Sequence, residues 1–322
     1  MRNQGNPIRM NPSFRGGKLT PWGGEKLRTA FGKKIAEVPT GESLEISCIP
    51  GLESRDDQGR TLTELILEHG EEYAGRYAGK SFPLLLKLID AREPLSVQVH
   101  PDDAYAHAHE NGKLGKTEAW LILDCPEGAE LVYGIRPGTD LKTLEEACRA
   151  GSAVEPLLRR VKVRPGDVCN IPAGTVHAIG AGILLYEIQQ SSDVTYRFYD
   201  WDRVDAKGNR RELHLAKALD VTRLDFAPDP KHWDEKPGVT RMLVEPFFSL
   251  DLIRMETEDV VLPVIEDFGF LTALDEGVIL KWDGGEAVMR KGESFFLPRI
   301  CSGLKMGGRG RAALSMPRGE LD

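Results

Sequence analysis

The chain has 322 residues, with 42 Lys and Arg against 50 Asp and Glu, so its formal net charge at pH 7 is −8. Hydrophobic residues make up 41% and charged residues 29%, proportions that fit a folded globular protein and argue against a disordered one. The acidic balance argues against nucleic acid and membrane surfaces as partners, because both attract a basic face.

Short strands and one helix are predicted along the first part of the chain. Alternating side chains over 44–49 predict a strand, and apolar residues spaced along 61–78 predict a helix. Two apolar runs, 83–89 and 95–100, predict strands joined by a hairpin-like connection at the intervening residues. A further strand is predicted over 118–123.

The central part of the chain combines a helical stretch with further strands. Residues 140–163 show the clearest helical spacing of apolar side chains, with a break near Gly151. A short helix is predicted over 212–220. The strands predicted between these two helical stretches are 167–171, 176–179, 184–189 and 195–199.

The frequent turns predict a mainly β protein. Its 34 Gly and 20 Pro favour short strands over long helices, as in a β-sandwich or jelly roll with a small helical insertion. Residues 224–240 are rich in Pro and indicate a linker. The predicted domains are therefore 1–225, with the helical insertion at about 140–163, and 226–322.

Four residues form a candidate metal-binding set. Gln98 and His100 share one face of a predicted strand, because side chains alternate with a period of two. Glu118 opens a later strand, and His177 ends the pattern G-x5-P-x-G-x2-H that begins at Gly166. His and carboxylate ligands suit zinc, iron or manganese. The other histidines are expected to be ordinary core or surface residues.

This pattern is the second motif of the cupin superfamily, and longer stretches around it are more specific. Residues 95–103, 115–120, 171–178 and 196–201 resemble the type I phosphomannose isomerases, in particular their short bacterial branch. The resemblance covers most of residues 12–225 and is weaker beyond. It implies a cupin-type jelly roll and isomerisation of mannose 6-phosphate and fructose 6-phosphate through an enediol(ate).

The resemblance also implies roles for individual residues. One zinc ion per chain would lie between Gln98, His100, Glu118 and His177. Arg197 and Lys116 would be catalytic, and both would bind the sugar phosphate together with Lys87. One departure is Leu44, which stands where the family often has Trp before Glu45.

Each of these cations also has an ordinary structural interpretation. Arg197 could form an ion pair with Asp193 or Asp200. Lys87, in an apolar run, could extend its ammonium to the surface rather than into a pocket. Lys116 could be a solvated charge in a turn. Alternation along 195–199 places Thr195, Arg197 and Tyr199 on one face.

The last part of the chain repeats part of the cupin motif. Residues 292–298 match G-x5-P, but no His follows. A second, metal-free jelly-roll-like domain is therefore predicted, and with it one divalent ion per chain. Apolar residues of this domain are expected to pack against the first; the candidates are Leu243, Phe247, Phe248, Leu250, Phe268, Phe270 and Leu271.

Two other functions are compatible with a cupin fold, since fold alone does not decide function. One is a non-catalytic sensor or regulator that binds sugar phosphate, which would be expected to have lost part of the site. The other is an iron oxygenase, which typically presents two or three His on an open iron face, and here a third is missing.

The sequence further predicts a cytoplasmic protein. It has no run of 18 apolar residues, and its polar N-terminus lacks the apolar segment of a signal peptide. The chain has five cysteines, which is an odd number, and they are widely spaced. Reduced thiols are therefore expected rather than disulfides. The expected partner is a small sugar phosphate, with neither nucleic acid nor membrane.

Overall fold

The computed structural model describes residues 5–204, 207–226 and 228–319. Within these ranges the chain forms 22 strands and six α-helices, with three short 3-10 helices between them. No helix in these ranges is both long enough and apolar enough to cross a membrane. All five cysteines are free thiols.

The strands of the N-terminal part are β1 (Ile8–Met10), β2 (Ser13–Gly16), β3 (Thr40–Ile46), β4 (Leu84–Ala91), β5 (Val97–Val99), β6 (Glu118–Asp124), β7 (Glu130–Ile135), β8 (Leu158–Lys162), β9 (Asp167–Ile171), β10 (His177–Ala178), β11 (Ile183–Gln190) and β12 (Tyr196–Tyr199). The strands that follow are β13 (Lys231–His232), β14 (Gly238–Val244), β15 (Phe248–Met255), β16 (Val260–Val261), β17 (Phe268–Ala273), β18 (Val278–Trp282), β19 (Gly285–Met289), β20 (Ser294–Pro298), β21 (Lys305–Gly308) and β22 (Gly310–Pro317). The helices are α1 (Lys26–Thr29), α2 (Leu62–His69), α3 (Glu71–Ala74), α4 (Asp103–His109), α5 (Leu141–Arg149) and α6 (Leu215–Val221).

Four antiparallel sheets form two sandwiches. The first sandwich pairs a seven-stranded sheet, β13-β9-β6-β11-β4-β3-β2, with a five-stranded sheet, β12-β5-β10-β7-β8. The second pairs a six-stranded sheet, β1-β20-β17-β22-β15-β14, with a four-stranded sheet, β16-β21-β18-β19. This confirms the prediction of a mainly β jelly-roll architecture with a second β domain after it.

Both faces of the seven-stranded sheet are buried, and alternation decides which residues each face receives. On β4, Leu84, Leu86 and Leu88 pack towards the six-stranded sheet, where they meet Phe268 and Phe270. The residues between them face the interior of the first sandwich. The two sandwiches therefore share one apolar core between the seven- and six-stranded sheets. A second apolar core lies inside the first sandwich.

The remaining apolar faces follow the same rule. Val97 and Val99 on β5 point away from the sandwich and pack against residues of α5 and α6, such as Leu144 and Ala218. The second sandwich has its own core between the six- and four-stranded sheets, which includes Leu271. From one side to the other, the layers are helices and then the five-, seven-, six- and four-stranded sheets.

Several predicted elements differ from the structure. The helix predicted over 61–78 is interrupted at Gly70 and Gly75, because both glycines adopt positive φ. It is divided into α2, the short helix α3 and one 3-10 turn. The helical stretch predicted over 140–163 ends in the strand β8, whose residues pair with β7. The connection after β4 is not a hairpin: β4 and β5 belong to different sheets.

The division into 1–225 and 226–322 remains a prediction, and two strands cross it. β1 pairs with β20 in the second sandwich, and β13 pairs with β9 in the first. The repeated G-x5-P pattern occupies matching places: Gly166 and Gly292 both have positive φ, and each precedes a strand. This similarity supports an internal repeat.

Most of the apolar residues predicted to join the two domains do so. Leu243, Phe248, Leu250, Phe268 and Phe270 belong to the shared core, and Phe247 packs against it. Leu271 is the exception, since it alternates to the opposite face of β17 and enters the core of the second sandwich.

Candidate active site

A cavity of about 310 Å³ opens between the two sheets of the first sandwich. Its wall carries five cationic side chains, from Arg15, Lys87, Lys116, Arg197 and Arg211. Anionic side chains share the wall, and Gln98 and Trp120 lie at its inner end. All three cations predicted from the sequence therefore reach the same cavity.

Behind this cavity, three predicted ligands converge. One ligand atom each from His100, Glu118 and His177 lies within 4.8 Å of the others, and all three residues are about 1% exposed. The sheets explain the convergence: His177 lies opposite Gln98 in the register of β10 and β5, and Glu118 begins β6 in the facing sheet. His100 directly follows β5.

The tautomers of both histidines follow from their partners. Nδ1 of His100 is 2.9 Å from the carbonyl of Val194, and Nδ1 of His177 is 2.9 Å from the carbonyl of Thr175. A carbonyl only accepts, so each Nδ1 carries the proton and each Nε2 keeps a lone pair. Burial lowers the pKa of His177 to about 3 and that of His100 well below its ordinary value, so both rings are neutral at pH 7.

The Glu118 carboxylate faces these two lone pairs. Its Oε1 is 3.3 Å from Nε2 of His177, and its Oε2 is 3.6 Å from Nε2 of His100. Oε1 is buried, and no donor among the described residues reaches it. The Lys116 ammonium compensates Oε2 and Nε2 of His100, but Oε1 and Nε2 of His177 present lone pairs to each other with no cationic side chain of the described ranges between them, so the arrangement fits a metal ion.

The protonation of Glu118 depends on its burial and on the charges around it. Burial, and after it the charge of Glu187, raise the pKa of Glu118 to about 7, although Lys116 opposes this. A divalent cation would favour the ionised carboxylate.

Gln98 lies against the same two nitrogens. Its side-chain amide is 3.3 Å from Nε2 of His177 and 3.5 Å from Nε2 of His100. Rotation of the amide by half a turn exchanges its nitrogen and oxygen, and the oxygen would then face the site as a fourth ligand atom. The ligand set predicted from the sequence is thus brought together in one place.

Lys116 is part of the cluster and not a solvated turn residue. It is 5% exposed, and its Nζ lies 2.6 Å from Oε2 of Glu118 and 3.0 Å from Nε2 of His100. Lys116 also lines the cavity and so connects the cluster with the cavity.

Lys87 also points into the cavity and does not extend to the surface. Its Nζ lies 3.3 Å from Glu187 and 3.9 Å from Glu42, and the side chain is buried. Burial alone would lower the pKa of Lys87, but the two carboxylates raise it. Lys87 is therefore a permanent cation on the cavity wall.

Glu187, which the sequence motifs do not single out, lies on β11 in the cavity wall. Trp120 donates its Nε1–H to Oε2 of Glu187 at 2.9 Å, and Lys87 faces Oε1. Burial would raise the pKa of Glu187, but Lys87 and Lys116 lower it, so the carboxylate is ionised. One feature of the sequence does point to Glu187. It is the acidic residue in a strand of otherwise apolar, aromatic and amide side chains, and a buried strand rarely carries a carboxylate without a partner.

Arg197 has none of the acidic partners considered for it. Its Nε donates to Oγ of Ser96 at 3.2 Å, and its Nη1 donates to the carbonyl of Glu212 at 2.7 Å. Asp193 pairs with Lys113 instead. The ion-pair interpretation is therefore wrong, and Arg197 is a cation held over the cavity by neutral groups.

The predicted alternation around Arg197 holds for only two residues. Thr195 and Arg197 line the cavity, but Tyr199 packs with the apolar residues on the opposite side of the sheet. The register of β12 against β5 shifts between Arg197 and Tyr199, as at a β-bulge, and one extra residue reverses the side on which the next one lies.

Comparison with known proteins identifies the family. Residues 18–118 match the model "Phosphomannose isomerase type I, catalytic domain". The chain is 46% identical over 229 residues to the mannose-6-phosphate isomerase ManA of Bacillus subtilis, covering 69% of this chain and 70% of that one. It is 42% identical over 236 residues to the mannose-6-phosphate isomerase of Streptococcus mutans, covering 71% and 73%.

The whole fold also matches a solved structure. A crystal structure of the mannose 6-phosphate isomerase from Bacillus subtilis superposes with a TM-score of 0.83 at 35% identity, covering 96% of this chain and 99% of that one. The match extends over both sandwiches, including the C-terminal part where the sequence resemblance is weaker.

Proposed function

The chain belongs to the type I phosphomannose isomerase family, and from this premise we propose that it interconverts mannose 6-phosphate and fructose 6-phosphate. The observation that supports this best is the site itself: two neutral imidazoles and a buried carboxylate converge behind a cavity with five cationic side chains. A sugar phosphate needs both features, since its phosphate is anionic and its reacting end develops negative charge.

We propose that His100, Glu118 and His177, with the amide oxygen of Gln98, hold one divalent ion, and that this ion is zinc. His and carboxylate ligands suit zinc, and a catalytic site leaves one position open. When bound, the ion would stabilise negative charge on the sugar oxygens. The second sandwich offers no comparable group among the described residues, which supports one ion per chain.

We assign the proton transfer and the stabilisation of charge to side chains of the protein. Isomerisation moves a proton between C1 and C2, and an enediolate carries the negative charge between the two transfers. The cavity wall carries the carboxylates of Glu42, Glu187 and Asp193; Asp193 is paired with Lys113 at 2.7 Å, so Glu42 and Glu187 are the candidates for exchanging this proton. Arg197 faces the charge that develops, and Lys116 neutralises Glu118 and directs its ammonium towards the sugar.

We further propose that residues 1–225 form the catalytic unit and that 226–322 form a metal-free unit that supports it. The ligand trio and the cavity lie wholly in the first part. The second part contributes the opposite wall of the shared core. Its role is to hold the seven-stranded sheet, from which Lys87, Glu118 and Glu187 project.

The direct test is a coupled assay that measures fructose 6-phosphate formed from mannose 6-phosphate by purified protein. We expect turnover in the wild type and loss of it in His177→Ala. Binding of mannose 6-phosphate without turnover, in protein shown to contain its metal, would favour the sensor over the enzyme. A matched control is His107→Ala, which removes an exposed imidazole on α4 and should leave turnover unchanged.

A further inference from the structure

Three arginines, Arg197, Arg203 and Arg211, lie around one carboxylate, Asp200, beside the cavity. Asp200 is 6% exposed and accepts hydrogen bonds from both Arg203 and Arg211. Arg197, the third, has no acidic partner among the described residues. The group therefore carries an excess of positive charge in a partly buried place, and an anion would relieve it.

Arg211 is the member of this group that is oriented to bind an anion. Its Nε donates to Asp200 at 2.6 Å, and its Nη2 donates to the other oxygen of the same carboxylate. This uses one edge of the guanidinium and fixes its plane. Within the described chain no acceptor reaches Nη1, and Arg211 lines the cavity with its side chain 31% exposed.

The other cavity cations already face acceptors, and Arg15 lies 3.5 Å from Glu42. Lys116 is paired with Glu118, and Lys87 with Glu187. Arg197 is adjacent, since its Nη1 is bonded to the carbonyl of residue 212, next to Arg211. Burial, and after it the charge of Arg211, lower the pKa of the Arg197 guanidinium.

We propose that Arg211 binds the phosphate of the substrate through its free Nη1 edge and that Asp200 is its positioning residue. This rests on the proposed function, because it assigns the phosphate end of the same cavity. A planar guanidinium fixed by a carboxylate loses little freedom when it binds a phosphate oxygen. Arg197 then remains available for the sugar oxygens, and Arg211 selects phosphorylated sugars over free ones.

The test compares Arg211→Gln with Arg210→Gln. Arg210 is the adjacent arginine, 66% exposed and paired with Asp202, and it does not line the cavity. Removing one charge-assisted hydrogen bond should raise KM for mannose 6-phosphate by roughly 10- to 100-fold in Arg211→Gln, with kcat changed little. Arg210→Gln should match the wild type in both constants.

Two further measurements separate phosphate binding from a structural role. Inorganic phosphate should inhibit the wild type competitively and Arg211→Gln much more weakly. The kcat/KM for unphosphorylated mannose should be the same in both proteins. Asp200→Asn should raise KM for mannose 6-phosphate in the same way while leaving kcat/KM for mannose unchanged, which a merely structural defect would not do.

The outcomes distinguish this proposal from the function on which it rests. A wild type without isomerase activity would overturn the function. An active wild type with an unchanged KM and unchanged phosphate inhibition in Arg211→Gln would overturn the role of Arg211 alone. If Arg211→Gln does not fold, Arg211→Lys keeps the charge but not the fork, and a KM equal to that of the wild type would contradict the proposal.

Discussion

Replacing Arg197 by Ala should slow catalysis far more than it weakens substrate binding. The guanidinium is held over the cavity by Ser96 and by the carbonyl of Glu212, without a neutralising carboxylate. Under the proposed mechanism it forms its strongest interaction with negative charge when the enediolate develops. A donor of this kind contributes about 2.7–4 kcal/mol to the transition state, so kcat should fall by about 10²- to 10³-fold.

The structure also predicts how graded variants should behave. Ser96→Ala removes one hydrogen bond from Nε, worth about 1 kcal/mol, and should lower kcat by about fivefold. Arg197→Lys should recover only part of the activity, because an ammonium cannot keep both contacts of the planar fork. KM should change little in each, because the phosphate contact proposed for Arg211 is left intact.

Steady-state kinetics with mannose 6-phosphate, alongside the melting temperature of each variant, measures these effects. A steep rise in KM with kcat maintained in Arg197→Ala would refute the reasoning and assign the phosphate to Arg197. Unchanged kinetics with a lower melting temperature would show that Arg197 serves only the fold.

Three further predictions concern the metal, pH and the shared core. Chelation should abolish activity and zinc should restore it, with one tightly bound ion per chain by elemental analysis; full activity in metal-free protein, or two bound ions, would contradict this. Burial would raise the pKa of Asp200, but hydrogen bonds from Arg211 and Arg203 lower it below 3.8, so its stabilising contribution is present at neutral pH and is lost as pH falls below about 4. The melting-temperature difference between wild type and Asp200→Asn should therefore shrink in acid, and a constant difference would refute the assignment. Phe268→Ala should cost about 3–5 kcal/mol and lower one common unfolding transition of both domains in calorimetry, whereas two separated transitions in the wild type would show that the cores are independent.

Much of the candidate metal site can be predicted because local alternation and turn residues determine where its side chains lie. Gln98 and His100 share a face whatever sheet they join, and the Gly166 turn with Pro172 sets the register that places His177. The sequence could not show that Glu187 comes across from another strand to meet Trp120 and Lys87, because that contact depends on the pairing of β11 with β6 and β4.

The errors have equally specific causes. Tyr199 was placed on the wrong side because a shift of one residue in β12 has no clear sequence signature. Arg211 was missed because it lies outside any regular element, and only the fold of the segment after β12 brings it to Asp200. The strand β8 was assigned to a helix, since short apolar runs do not distinguish the two.

The seven-stranded sheet is covered by another sheet on each of its faces, and this limits how the protein can be divided or rebuilt. A fragment ending near residue 225 would expose Leu84, Leu86 and Leu88 together with Tyr186, whose hydroxyl lies 2.7 Å from Ser315. Such a fragment would expose a continuous apolar surface and would be expected to aggregate rather than act as a minimal enzyme. Shortened or grafted versions of this catalyst therefore need a substitute layer over that face, with a hydroxyl placed to meet Tyr186.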